Sequence, residues 1–304
     1  MISIENINKF YGDYQALTDV SLYIPEKCIY GLLGPNGAGK TSLIRIINQI
    51  TAPDSGRILF DDQPLAPRHV ETIGYLPEER GLYRKMKVGE QVLYLAQLKG
   101  LDKHEAKRRL KLWFDKFEIG SWWDRKVEDL SKGMQQKVQF IATVIHEPKL
   151  LILDEPFSGF DPINAEMIKN EILQLRKDGA TIIFSTHNMK SVEEMCDKIA
   201  LINRSKKIME GRVETIKNKH KTNHFEIQFE GNMISFSTAL WAGYKLIRHE
   251  GEKENMTAVV SCVGDQSIND LLAALIPSVK IKSVREVIPS MNDIFIQKVR
   301  EING

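Results

Sequence analysis

The sequence predicts an α/β fold in which a parallel sheet carries a phosphate-binding loop. Two observations favour it. Short apolar runs, typical of buried strands, occur at residues 28–33, 149–153 and 181–184, and patterns of helical period follow them. A glycine-rich stretch also joins the first of these runs to Leu43, Ile44 and Ile47, which are spaced as on one face of a helix. The order strand, loop, helix is the context that a phosphate-binding loop needs.

The glycine-rich stretch has the spacing G-x-x-x-x-G-K-T. It consists of Gly34, Pro35, Asn36, Gly37, Ala38, Gly39, Lys40, Thr41 and Ser42. Glycines let successive backbone N–H groups surround a phosphate chain, and the helix that follows directs its positive end to the same place. The alternative is an ordinary glycine-rich turn before a helix. The strand and helix on either side favour binding of a nucleoside triphosphate.

Composition excludes several function classes. The chain has 304 residues, of which 42% are hydrophobic and 27% charged, and a net charge of +2. This charge argues against bulk electrostatic binding to nucleic acid. No signal peptide and no run of about 18 apolar residues is found, so we expect no direct membrane insertion. Cys28, Cys196 and Cys262 lie far apart in apolar segments, which favours buried, reduced thiols over disulfides or metal ligation.

The segments before and after the loop have different characters. Residues 1–30 alternate apolar and polar in short runs, which predicts antiparallel strands around the turn that follows Tyr11. A strand from Ile73 should stop at Pro77, next to Glu78. Residues 86–146 are helical in period, and Ser131 is placed to cap one helix. The basic face formed by Lys107, Arg108, Lys111 and Lys116 is typical of a solvated surface. Trp122-Trp123 fits either the core or a docking surface.

Polar residues end two of the apolar strands. Asp154 and Glu155 follow residues 149–153, and His187 follows the strand that begins at Thr181. Ligands of parallel α/β sheets gather at the carboxyl ends of strands, so these side chains should lie beside the phosphate loop. Alternation points Asp154 and Glu155 in different directions, so that one can face a metal ion and the other the attacking water. The alternative is a charged strand end without function.

A domain boundary is predicted at a polar, Lys-rich segment, residues 217–222. It separates a nucleotide-binding domain, residues 1–216, from a small α+β domain, residues 223–304. In the small domain we predict strands near 225–229, 258–263 and 281–287, and helices at about 268–275 and from Asn292. No catalytic motif is found in it.

The order of these motifs resembles the ATP-binding subunit of ABC transporters, most closely that of bacterial export systems with a C-terminal extension. The resemblance covers residues 1–216. Gly34–Ser42 looks like the Walker A loop, Leu130–Gln136 occupies the place of the signature sequence, and Leu150–Pro156 looks like Walker B. Ser158–Asp161 looks like the D-loop and His187 like the switch histidine. The resemblance implies a P-loop NTPase with antiparallel β and helical subdomains, the latter at about residues 86–146.

Roles follow from the resemblance residue by residue. It implies that Tyr11 stacks on adenine, that Lys40 holds the phosphates and that Thr41 and Asp154 position Mg²⁺. Glu155 would polarise the attacking water, and His187 would contact the γ-phosphate. Ser131, with Gly133 beside it, would contact the γ-phosphate of a nucleotide that another subunit holds. Two positions depart from the family pattern. Glu78 replaces a common Gln and would place a carboxylate near Mg²⁺, and Lys132 and Met134 alter the signature.

The resemblance also implies partners. One phosphate loop and one signature predict that two copies meet head to tail with two-fold symmetry and bury two ATP molecules. The subunit would be an ATPase that drives transport through separate transmembrane permease subunits, from a cytoplasmic position on the inner face of the membrane. One alternative is a soluble regulatory ATPase of the same fold, although this chain lacks the second such domain or coiled-coil insertion usual there. A scaffold that has lost catalysis is the other, and the presence of Glu155 and His187 argues against it.

Overall fold

The computed structural model describes residues 1–79, 81–240, 243–252, 254–264 and 266–303. The chain divides into two compact units, Met1–Val213 and Glu214–Gly304. Among the described residues, no helix combines the length and the apolar character needed to cross a membrane.

The described residues of the two units form three sheets. Their strands are β1 (Ile2–Tyr11), β2 (Tyr14–Ile24), β3 (Ile29–Leu33), β4 (Ser55–Phe60), β5 (Gln63–Pro64), β6 (Ile73–Leu76), β7 (Leu150–Asp154), β8 (Thr181–Ser185), β9 (Lys198–Asn203), β10 (Lys206–Arg212), β11 (His224–Glu230), β12 (Tyr244–Glu252), β13 (Asn255–Cys262) and β14 (Lys280–Glu286). The helices are α1 (Lys40–Ile47), α2 (Val88–Leu98), α3 (Lys103–Lys116), α4 (Lys132–Val144), α5 (Pro162–Lys177), α6 (Met189–Met195), α7 (Val213–Lys219), α8 (Met233–Ala239), α9 (Ile268–Leu275) and α10 (Met291–Asn303).

The central sheet of the first unit positions the candidate site. Its strand order is β10-β9-β3-β8-β7-β6, and all neighbouring pairs are parallel except β10 with β9. Residues of β3, β7 and β8 are fully buried, as expected for a parallel sheet covered on both faces. Because β3, β8, β7 and β6 are adjacent, the loops that follow them meet at one edge of the sheet.

A smaller antiparallel sheet, in the order β2-β1-β4-β5, packs against the same core. The inward side chains Ile2, Ile4 and Ile7 of β1 share a buried cluster with Ile44 and Ile47 of α1. Ile2 and Ile4 follow the period of two that predicts a strand, and an irregularity in the register between Ile4 and Ile7 brings Ile7 to the same face. The helical spacing in α1 is the pattern that predicted this helix. The predicted α/β fold is confirmed here.

The helical segment is built from α2, α3 and α4. Trp113 of α3 and Phe117, the residue that follows this helix, lie 5.6 Å apart between ring centroids, and both rings approach Phe140 of α4. Trp123 packs edge-on against Phe114 at 5.7 Å, so this tryptophan is half-buried. The basic side chains Lys107 and Lys111 are exposed on the outer face of α3.

In the second unit, the described residues form a four-stranded antiparallel sheet, β12-β13-β11-β14, covered by helices. Ile227 and Phe229 of β11 point into a core with Phe236 of α8 and with Leu271 and Leu275 of α9. The alternation in β11 explains why this strand was predictable. On the opposite side, Glu226 is only 6% exposed and pairs with Arg285 at 2.8 Å.

Two elements of this unit lie in a stretch for which the sequence made no assignment. Strand β12 is at the edge of its sheet and buries only Tyr244, so it lacks an alternating pattern. Helix α8 has seven residues, and only Phe236 is buried. Part of the predicted linker, residues 217–222, is helical in the structure, because α7 continues through Lys219. The buried Val213 and Ile216 that support α7 precede the polar segment. The three cysteines are free and buried, as predicted.

Candidate functional site

A cavity of about 400 Å³ opens where the loops after β3, β6, β7 and β8 meet. Its lining comprises Tyr11, Tyr14, Ala16, Asn36, Gly37, Ala38, Gly39, Lys40, Thr41, Ser42, Glu78, Asp154, Glu155 and His187. The structure thus brings together residues that are up to 176 positions apart (Tyr11 to His187). Gly34 and Pro35 lie just behind this lining, in the same loop.

Backbone conformation explains the glycines of the loop. Gly34 has a φ of 152°, and a Cβ added there would lie 2.2 Å from the Ile202 carbonyl oxygen. Gly39 has a φ of 114°, and its Cβ would lie 2.4 Å from the carbonyl oxygen of Ala16. Any side chain at either position would displace backbone. The loop therefore lies directly against β9 and β2, and α1 begins at Lys40 with its free N–H groups facing the cavity.

Lys40 bridges the loop from within. Its ammonium donates to the carbonyl oxygens of Gly34, at 2.7 Å, and Pro35, at 3.1 Å. Burial lowers the pKa of Lys40, while the carboxylates of Asp154, Glu155 and Glu78 act in the opposite direction. The Lys40 ammonium therefore supplies positive charge close to three carboxylates at the cavity.

Asp154 is the most deeply placed of these carboxylates, with 6% of the residue exposed. Burial raises the pKa of Asp154, and the charges of Glu78 and Glu155 raise it further, whereas the Ser185 hydroxyl and the Lys40 ammonium lower it. Several carboxylate oxygens close together favour the binding of a hard cation. Among the described residues, no three His, Cys, Asp or Glu side chains form a metal site by themselves. The donor set fits Mg²⁺, which binds through one or two carboxylates together with a hydroxyl, water and phosphate oxygens.

Glu155 is held by the loop after β8. Its carboxylate accepts hydrogen bonds from Thr186 Oγ1 at 3.0 Å and from the His187 backbone N–H at 2.8 Å. His187 Nδ1 lies 2.6 Å from the same carboxylate. The backbone of Glu155 has a φ of 49°, an uncommon left-handed value for a residue with a side chain. Strain of this kind is often found at functional sites.

His187 and Glu155 differ sharply in exposure. The imidazole side chain is 81% exposed, whereas the Glu155 side chain is 15% exposed. The carboxylate is therefore fixed from behind by Thr186 and the backbone, and the imidazole stands at the cavity mouth. The sequence placed both residues at strand ends, but their direct contact was not predictable from their spacing.

Two tyrosines flank the mouth of the cavity. Tyr11 is 43% exposed, and the ammonium of Lys9 lies 5.5 Å from its ring centroid. Tyr14 was not predicted as a site residue, yet its hydroxyl donates to the Gly37 carbonyl oxygen at 2.9 Å. The sequence did contain a signal for Tyr14, namely its position two residues after Gly12. The turn at Gly12 reverses the chain, so that β2 runs back beside the phosphate-binding loop.

Ser131 and Gly133 do not line this cavity. Ser131 caps α4, since its hydroxyl accepts a hydrogen bond from the Met134 N–H at 3.3 Å. Gly133 lies near Gly159 and Phe160, in the segment between β7 and α5. These two residues are therefore at a separate surface of the same unit.

Comparison with known proteins reveals the family. The model of the ABC transporter family matches residues 17–158. The ABC transporter ATP-binding protein YhaQ of Bacillus subtilis (strain 168) is 39% identical over 303 residues, and the match covers 98% of each chain. This chain belongs to the family of ABC transporter ATP-binding proteins. The predicted resemblance is confirmed, and with it the nucleotide-binding ATPase fold.

Other relatives agree with this assignment. The lipopolysaccharide export system ATP-binding protein LptB of Haemophilus influenzae (strain ATCC 51907 / DSM 11121 / KW20 / Rd) is 32% identical over 224 residues, covering 72% of this chain and 93% of LptB. The structure of an ATP-binding subunit of an ABC transporter superposes with a TM-score of 0.67 at 28% identity, covering 72% of this chain and 92% of that one. Residues 211–299 match the C-terminal domain of DrrA1-3-like ATP-binding proteins.

Proposed function

We propose that this ABC-family subunit hydrolyses ATP and thereby powers export through separate transmembrane permease subunits. The observation that carries the proposal is the pairing of Glu155 with His187 and Thr186 beside the phosphate-binding loop. A nucleotide-binding scaffold needs no carboxylate held at the strand edge in this way. A hydrolase does, because water must be oriented toward the terminal phosphate.

The cavity supplies the remaining groups for hydrolysis. The backbone N–H groups of residues 37–42 surround the phosphates, and Lys40 exchanges its bonds to Gly34 and Pro35 for phosphate oxygens. Thr41, Asp154 and Glu78 would hold Mg²⁺, and the ion would supply positive charge beside the phosphates. Glu155 orients the attacking water, and His187 hydrogen-bonds the γ-phosphate. Tyr11 stacks on the adenine ring at the open end of the cavity.

The second part of the proposal is that two copies close on ATP. Ser131 and Gly133 lie away from their own cavity, so in a head-to-tail dimer they face the γ-phosphate bound by the other copy. Bound ATP then holds the two copies together, and its hydrolysis lets them separate. The relative LptB is named for an export system, which supports export as the direction of transport here.

Steady-state hydrolysis tests the catalytic part. In Glu155→Gln we expect kcat for Mg-ATP to fall by about 10²–10⁴, the usual contribution of a positioned acid or base. Binding of ATP, measured by fluorescence titration, should persist. Glu90→Gln is the matched control, because Glu90 is an exposed carboxylate on α2. Hydrolysis by Glu155→Gln at the wild-type rate would remove Glu155 from its assigned role.

Cell fractionation tests the transport part. A subunit bound to a permease sediments with membranes from cells that make it at native levels, and an alkaline carbonate wash releases it as a peripheral protein. We expect this chain to behave in that way. Recovery entirely outside the membrane fraction would favour a soluble regulatory ATPase.

A further inference from the structure

Ser185 carries a buried hydroxyl that the proposed catalytic cycle does not use. It is the last residue of β8, and none of its surface is exposed. It lies behind the lining of the nucleotide cavity rather than in it. Among the described residues, its Oγ atom has no hydrogen-bond partner. A hydroxyl buried without a partner costs free energy that an apolar residue would avoid, so this serine calls for an explanation.

The central sheet places Ser185 directly beside Asp154. The two residues are partners in the parallel pairing of β7 with β8. Paired residues of neighbouring strands project to the same face of a sheet, and the strands are about 4.8 Å apart. Ile152 and Ile183, two residues earlier in each strand, share a buried cluster with Ile44 of α1. The Ser185 and Asp154 side chains therefore lie on the face that α1 covers, where the phosphate-binding loop enters the helix.

The Ser185 hydroxyl acts on the Asp154 carboxylate. It lowers the pKa of Asp154, against the effects of burial and of the charges of Glu78 and Glu155. A hydroxyl stabilises a carboxylate in this way when its O–H is directed toward the carboxylate oxygens. The partner of Ser185 on its other side, in β3, is Leu32, which has no side-chain acceptor. Asp154 is thus the polar neighbour toward which this O–H can turn.

A purely structural role is the competing interpretation of Ser185. Thr181, at the other end of the same strand, shows such a role, because its buried Oγ1 accepts a hydrogen bond from the Lys27 backbone N–H at 2.9 Å. That bond ties a strand to the turn beside it. The Ser185 hydroxyl makes no comparable bond with the described part of the chain, and it faces a carboxylate instead.

The backbone of Ser185 supports the second carboxylate of the site. The Glu155 N–H donates to the Ser185 carbonyl oxygen at 2.8 Å. The next two residues bond the Glu155 side chain, through Thr186 Oγ1 and the His187 N–H. Three consecutive residues thus serve both carboxylates at the end of β7. Ser185 faces Asp154 with its side chain, while Thr186 and His187 hold the Glu155 side chain.

We propose that Ser185 is a positioning residue for Mg²⁺, whose hydroxyl donates to the Asp154 carboxylate and fixes the orientation in which Asp154 would bind the ion. This role rests on the proposed function, in which Asp154 belongs to the magnesium site. Carboxylates that bind metal ions are themselves hydrogen-bonded, and loss of such a partner lowers metal affinity or activity by about 10–100-fold. Ser185 acts through Asp154, so its effect is on metal affinity rather than on the attacking water.

Binding of Mn²⁺ tests this role without hydrolysis. Carboxylate sites for Mg²⁺ also accept Mn²⁺, whose free concentration is measured by electron paramagnetic resonance. The sample contains the full chain and the β,γ-imido analogue of ATP. We expect Ser185→Ala to raise the Kd for Mn²⁺ by about tenfold. Ile183→Val, the matched control on the same strand and the same face, should keep the wild-type Kd.

Steady-state hydrolysis separates the role of Ser185 from that of Thr186. In Ser185→Ala, the Mg²⁺ concentration for half-maximal hydrolysis should rise by about tenfold, whereas kcat at saturating Mg²⁺ should change little. Thr186→Val removes a bond to Glu155 and should lower kcat without changing the Kd for Mn²⁺. A lower kcat with an unchanged Mg²⁺ requirement in Ser185→Ala would give Ser185 the role of Thr186 and overturn the proposal.

Two results of the Mn²⁺ titration would also overturn the proposal. One is a Kd in Ser185→Ala equal to that of wild type. The other is a wild-type Kd in Ser185→Cys, because cysteine fills the space but donates only weakly, and packing would then account for the loss in Ser185→Ala. Thermal melting establishes that the variants are folded.

Failure of the proposed function would be observed separately. Wild-type protein that binds the nucleotide analogue but no Mn²⁺ would contradict the magnesium site itself, and with it the role of Ser185. Equal Mn²⁺ binding by wild type and Ser185→Ala would contradict the role of Ser185 alone and leave the magnesium site in place.

Discussion

The residues of the phosphate-binding loop were predictable because each serves a local need. Glycine is required at residues 34 and 39 by positive φ and by neighbouring carbonyl oxygens, and the spacing to Lys40 is fixed within a single loop. Contacts between distant residues were not predictable in this way. Thr186 and His187 meet Glu155 only because β7 and β8 are neighbours in the sheet, and the sequence does not state that order. The functional roles of these residues stay predictions.

Tyr14 offers a test at a residue that the sequence did not single out. Its hydroxyl bonds the Gly37 carbonyl oxygen, so Tyr14→Phe removes one hydrogen bond that positions the loop. Such a bond contributes about 1 kcal/mol, and we expect KM for ATP to rise by about two- to tenfold with kcat unchanged. Tyr23→Phe, at another exposed tyrosine of β2, is the control. An unchanged KM in Tyr14→Phe would show that the bond does not position the loop.

His146 makes stability depend on pH. Neither of its buried ring nitrogens has a hydrogen-bond partner among the described residues. Burial, with the charges of Lys99 and Arg109 beside it, lowers the pKa of His146 from 6.5 to about 4. The unfolded chain therefore takes up the proton first as pH falls. We therefore expect the free energy of unfolding to fall between pH 6.5 and about 4 and then to level off.

Urea unfolding of wild type and His146→Leu measures this effect. We expect wild type to lose about 1–3 kcal/mol relative to the variant over that interval, because one pKa unit corresponds to about 1.4 kcal/mol. A constant difference between the two proteins from pH 7 to 4 would contradict the assignment.

At the scale of elements, prediction succeeded where a segment is buried on a regular period. Strands β3, β7 and β8 are continuous apolar runs, and α4 starts at its predicted cap, Ser131. Prediction failed where an element buries few of its side chains. Edge strand β12 and the short α8 each bury one side chain, so neither leaves a periodic signal. Trp123 was ambiguous for a similar reason, since it packs on the backbone of Gly89 in α2 and yet is only half-buried.

Gly89 tests the packing between α2 and Trp123. The Cβ of Gly89→Ala would enter the indole ring, so either the helix or the ring must shift. Overpacking of this kind costs about 1–3 kcal/mol, and we expect the free energy of unfolding to fall by that amount. Gly120→Ala is the matched control, because no atom lies within 4 Å of the added Cβ. Equal stability of the two variants in urea would contradict the close packing.

At the scale of the whole molecule, the proposed ATPase cycle requires two chains. The first unit contains a complete phosphate-binding cavity, but Ser131 and Gly133 lie outside it. We propose that they face the nucleotide of a second copy, as two-fold symmetry between two members of this family would place them. The family was recognisable from motif order, whereas the pairing of copies is a property that one chain does not display.

The most direct measurement of this claim is the mass of Glu155→Gln in solution, by size-exclusion chromatography with light scattering. Slowed hydrolysis should preserve the ATP-bound form, so we predict the mass of two chains with Mg-ATP and of one chain without it. Adding Ser131→Arg should restore the single-chain mass in Mg-ATP, because the bulky cation would lie in the proposed contact between the two copies. A single-chain mass in Mg-ATP, with ATP bound, would contradict ATP-dependent pairing of two copies. A dimer whose mass changes neither with ATP nor with Ser131→Arg would contradict it as well.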